Sequence, residues 1–125
     1  MRGTALLFML TGIVFVLLGM VWGIEMSARS DFAMAPAHAH LNLIGFVMGA
    51  IFAIYFVLTP QADGGLAKAL YALWAVTTVL MAIGIYMAVS QQGETLAKVA
   101  SLLGVLTMLL FGWIVLKNGI GQAER

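Results

Sequence analysis

Few side chains in this sequence can do chemistry, and most of those stand together. Only two residues are histidine, both in the run Pro36-Ala37-His38-Ala39-His40-Leu41-Asn42, and none is cysteine. Without cysteine there is no thiolate metal site, no disulfide and no cysteine nucleophile. Two imidazoles, by contrast, are ligands suited to iron, copper or zinc. Pro36 is placed to open a helix, where its missing N–H costs nothing. Both histidines then fall in the first turn or so, at the edge of a long apolar stretch. Ionisable groups at membrane depth are costly and mark function more often than packing.

Helix geometry limits what the pair can hold. Residues two apart are rotated by roughly 200°, so His38 and His40 point to nearly opposite sides. They cannot grip both faces of one haem, nor chelate one metal from a regular turn. A six-coordinate haem needs a second ligand from elsewhere. Within the chain only methionine is available, with Met34, Met48, Met81 and Met87 as candidates; otherwise the second histidine comes from a neighbouring copy. A bis-histidine haem therefore implies a homo-oligomer. His38 shares a face with Gly45 and Gly49, along which a porphyrin could lie flat. His40 is in line with Leu43, Ile44, Val47 and Ile51, a branched face that could also wall a haem. Periodicity leaves both open. Other polar residues at the same depth extend the candidate set. Glu25 could complete a Glu25/His38/His40 site for copper or zinc, or orient an imidazole. Asn42 and Arg29 are candidate partners for haem propionates.

The elements that position these residues follow from composition. Hydrophobic residues make up 63% of the chain and charged residues 9%, with a mean hydropathy of +1.08. A soluble domain averages about 45–50% apolar and about 25% charged, so this chain belongs in a lipid bilayer. A net charge of +1 with no basic run argues against nucleic acid as a partner. A spanning helix needs about 20 apolar residues. Four such stretches fit, at about 4–24, 36–58, 66–89 and 95–116. Ala62-Asp63-Gly64-Gly65, Ser90-Gln91-Gln92-Gly93 and Asn118-Gly119 supply the turn chemistry between and after them. The fold expected is an all-α, up-and-down bundle of four transmembrane helices in a single domain. The first stretch is longer than the roughly 7–15 apolar residues of a signal peptide core, and is read as a retained helix.

Positive charges set the expected orientation. Arg2, Lys68, Lys117 and Arg125 fall on one side, Arg29 and Lys98 on the other, which places both termini in the cytoplasm. Small residues mark close helix approach in lipid: Gly19 and Gly23 in the first helix, Gly45, Gly49 and Ala53 in the second, and Ala97/Ser101 and Ala100/Gly104 in the fourth. Packing within one bundle explains them, and a second subunit or a flat cofactor is the sharper alternative. Trp22, Tyr55, Tyr71, Tyr86 and Trp113 fit an interfacial aromatic belt.

The second stretch, from His40-Leu41-Asn42 through Met48-Gly49-Ala50 to Tyr55-Phe56-Val57-Leu58-Thr59-Pro60, resembles a helix of haem–copper oxidase subunit I. The likeness is to the nitric oxide reductase and cbb3-type branch. It implies that His40 ligates a low-spin haem b near the outer membrane face. A rival alignment on Ala37-His38-Ala39 is similar to the mitochondrial-type enzymes and nominates His38. The resemblance covers helices one and two. Helices three and four hold no histidine, so no haem–copper active site can be completed within one chain. Subunit I consists of three arcs of four helices, and the resemblance implies that this chain is one such arc, assembling as a homotrimer in a bacterial inner membrane. Three functions are thus expected in order: a haem b protein of electron transfer or haem handling, a copper- or zinc-handling membrane protein, and a cofactor-free structural subunit.

Overall fold

The computed structural model describes residues 2–123; Arg125, one of the charges used for orientation, lies outside them. Within these residues the chain is all-α, with four helices each long and apolar enough to cross a bilayer. They are α1 (Gly3–Arg29), α2 (Ala35–Leu58), α3 (Gly65–Val89) and α4 (Thr95–Asn118). The boundaries match the expected ones within two residues except at the end of α1. That helix runs one turn past Ile24, because Met26 is buried and Glu25 and Arg29 form an i,i+4 ion pair at 3.1 Å on its surface. The α1–α2 connection is correspondingly short. Ser30 takes a left-handed conformation to end the helix, and Asp31 accepts the Ala33 N–H at 3.1 Å.

Antiparallel helices bring the start of α1, the end of α4 and the 59–64 turn to one end of the bundle. There the polar groups interlock. The first turn of α1 contains no acid of its own, and Asp63 supplies the charge from across the bundle. Its carboxylate accepts the Thr4 hydroxyl at 2.6 Å and the Thr4 N–H at 3.4 Å, which satisfies a free donor and complements the helix dipole. Asp63→Ala is expected to destabilise the bundle by about 1 kcal/mol, the usual value of an N-cap, as read from detergent unfolding. Tyr55 donates its hydroxyl to the Gly119 carbonyl at 2.8 Å, and the Gly121 N–H donates to the Thr59 hydroxyl at 2.9 Å. The segment after α4 is thereby fastened to the end of α2.

The core is aromatic. Phe8 of α1 touches Phe52, Phe56, Tyr71 and Trp74 at ring separations of 5.2–5.7 Å, within the range where ring quadrupoles attract. Tyr71 also shares a hydrogen bond with Thr11 at 2.7 Å. Tyr55 is therefore buried and Tyr71 half-buried, each bonded inside the bundle; Tyr86 and Trp113 are exposed, as a belt requires.

Glycines let the first three helices close up. A side chain at Gly45 would run into Phe15, and one at Gly49 into Trp74. Of the two α2 faces left open for a porphyrin, the one carrying Gly45 and Gly49 is thus filled by the protein's own rings. By contrast, α4 buries only Ala100, Thr107 and Ile114. That heptad-spaced seam rests on α3, with Thr77 and Thr107 sharing a hydroxyl hydrogen bond at 3.2 Å. Near the termini α4 also meets α2, where Phe111 packs on Phe52 and Tyr55 at 4.6 and 5.2 Å.

Candidate functional site

The second helix is not uniform. Between Leu41 and Val47 it widens into a π-helical stretch, in which the Met48 N–H reaches back to the Leu43 carbonyl. A π segment rotates less per residue than an α-helix and leaves a carbonyl without its ordinary partner. That carbonyl is taken up from another helix: the indole Nε1–H of Trp74 donates to the Ile44 oxygen at 2.6 Å. Trp74 is fully buried. The sequence offered no role for it; the carbonyl it serves is what holds the irregular turn.

The slower rotation rearranges the faces around the two histidines. His38 turns toward α1, where its ring lies over Gly23, and Asn42 lies over Gly19. The Asn42 amide and His38 Nε2 are 3.4 Å apart, while His38 Nδ1 and Asn42 Oδ1 are buried with no hydrogen-bond partner among the described residues. The Gly19/Gly23 pair is thus a seat for two polar side chains of the same bundle. His38 is half-buried there, with its ring against α1.

His40 faces the other way and is exposed. Its Nδ1 lies 2.7 Å from the carbonyl oxygen of Pro36, one turn earlier. A carbonyl only accepts, so Nδ1 carries the proton and donates it. In the neutral ring the lone pair is then on Nε2. A hydrogen bond of this kind fixes the tautomer and the ring plane and makes the other nitrogen a better ligand.

His40 lines a groove of about 550 Å³ formed by α2, α3 and α4. Ile44 and Met48 continue the α2 wall, Thr77 and Met81 lie at the floor on α3, and Ser101, Gly104, Val105 and Met108 form the opposite wall. The α2 positions are spaced by four, as the π stretch requires. Leu43, Val47 and Ile51, expected beside His40, instead point outward. Of the four methionines named from the sequence, Met48 and Met81 reach this groove. Met34 lines a separate cavity of about 400 Å³ with Arg29, Glu25 and Tyr86. Met108 was not among those four, although Ser101 and Gly104, marked as small residues of α4, line the same wall.

The structure does not bring Glu25, His38 and His40 together. Glu25 pairs with Arg29, His38 packs on α1, and His40 faces the groove beyond α2. Among the described residues no group of three His, Cys, Asp or Glu side chains is placed to hold a metal ion. The Arg29 side chain belongs to the α1 side and does not line the groove of His40. What the site offers is one oriented imidazole, three thioethers and a largely apolar groove. Comparison with family models, with curated proteins and with solved structures returned no match.

Proposed function

We propose that this protein is an integral membrane protein that binds haem b through His40 and works in electron transfer or haem handling. The carrying observation is the Pro36-bound imidazole of His40, a residue that lines an apolar groove between three helices. Branched and sulfur-containing walls suit a flat macrocycle, and the likeness of α2 to the haem-ligating helix of haem–copper oxidase subunit I favours the same residue. A bound haem would supply one-electron redox chemistry, at a potential set by its axial ligands and its burial. The chain's own part is to hold the ring, present the imidazole and exclude water. With two histidines in all, reduction of oxygen or nitric oxide is outside this proposal. The outer-face position of His40, cytoplasmic termini and a homotrimeric assembly belong to the same reading.

Detergent-purified protein is expected to show a b-type spectrum, in particles of three chains by mass. His40→Ala should abolish haem binding. His38→Ala should retain it, because that ring is seated against α1. Haem retained in His40→Ala would overturn the assignment, and colourless wild-type protein would favour a structural subunit.

A further inference from the structure

We infer that the second axial ligand is Met108, on the wall of the groove opposite His40, so that one chain supplies both ligands. This rests on the haem reading above and adds the ligand that the sequence left open. Two hydrogen bonds fix the relative heights of the helices. Trp74 to Ile44 levels α3 with α2, and Thr77 to Thr107 levels α4 with α3. His40 lies one turn from Ile44 toward the Pro36 end. Carried across α3, that height falls near Leu106 on α4, within about one turn of Met108 at a rise of about 1.5 Å per residue.

Direction agrees with height. Helical side chains lean toward their own N-terminus, and α2 and α4 both begin at the end of the bundle where the groove lies. Both walls are also free. His40 is exposed, and Met108 is 48% exposed although it lines the groove. Met48 stands on the same helix as His40 and cannot face it across a ring. Met81 is buried on α3, at the floor between the two walls. At this height the backbone of α2 lies close to α1 and α3, and the groove stands between it and α4, whose aromatic contacts with α2 lie toward the termini at Phe52, Tyr55 and Phe111. A haem held between His40 and Met108 would have a thioether and an imidazole as ligands, a pair that gives a higher potential than two imidazoles.

The test is spectroscopic, on full-length protein purified with haem b. Wild type should be low-spin and show the near-infrared sulfur-to-iron charge-transfer band in the ferric state. Met108→Leu should keep its haem through His40, lose that band and become high-spin, while Met48→Leu and Met81→Leu keep the wild-type spectrum. Met108→His should restore a low-spin haem, without the sulfur band and at a lower potential. A wild-type haem lacking the sulfur band, or a Met108→Leu spectrum equal to wild type, would overturn Met108 while leaving His40 standing. Wild-type protein that takes up no haem would overturn the underlying reading and this one with it.

Discussion

Replacing Trp74 by alanine is expected to cost about 3–5 kcal/mol of bundle stability, the range for deleting a large buried aromatic. Three effects add. The fully buried indole leaves a void beside Phe8, Phe15 and Tyr71, whose rings lie 5.2–5.9 Å away. Its partner across the interface is Gly49, which has no side chain to fill the gap. The Ile44 carbonyl also loses the 2.6 Å hydrogen bond that compensates the π stretch. In hydrocarbon no water replaces that donor. Lipid tails are as apolar as the core, so the loss is of packing and hydrogen bonding rather than of burial from water. Trp74→Phe separates the terms, keeping most of the volume and costing about 1–3 kcal/mol for the orphaned acceptor. Unfolding in micelles of rising dodecyl sulfate content measures both. Equal stability of Trp74→Phe and wild type would show that the indole N–H does not hold the π turn.

Gly84→Val is expected to be the second most damaging change, at about 1–3 kcal/mol for overpacking. A Cβ at Gly84 would lie 2.6 Å from the Ala97 nitrogen and 2.8 Å from its Cα. These are backbone atoms of α4, and no rotamer change can move them aside. The helix itself must retreat, and α3 is its main support. Gly112→Val is the control, since nothing lies within 4 Å of a side chain there. The same unfolding measurement should leave that variant near wild type. A Gly84→Val protein as stable as Gly112→Val would mean that the close α3–α4 crossing is dispensable.

The four helices were legible because each carries its own punctuation. Pro36 and Pro60 bracket α2, and glycine-rich turns separate the rest. Charge and spacing also drew attention to the His38–Asn42 cluster before any contact was known. The division of labour within that cluster was not legible. It depends on a wide turn at Leu41–Val47, and that turn is compensated by a tryptophan 30 residues away from the carbonyl it binds. A period of 3.6 residues therefore assigned Leu43, Val47 and Ile51 to the wrong face. Tyr55 and Tyr71 misled for a related reason: their positions fit an interfacial belt, and only their long-range partners Gly119 and Thr11 reveal them as internal. Met108 was invisible because its significance lies in what stands opposite.

The polar fastenings at Thr4–Asp63, Tyr55–Gly119 and Thr59–Gly121 close the bundle at one end, while the groove between α2, α3 and α4 begins at His40, toward the other. Such a groove opens sideways to the acyl chains. An occupant would arrive laterally, by displacing lipid and not water. Burial from water then contributes little to its retention. For the proposed haem, holding would fall to the ligand bonds and to the fit of the groove, so residence time should follow the ligands more closely than the greasiness of the walls.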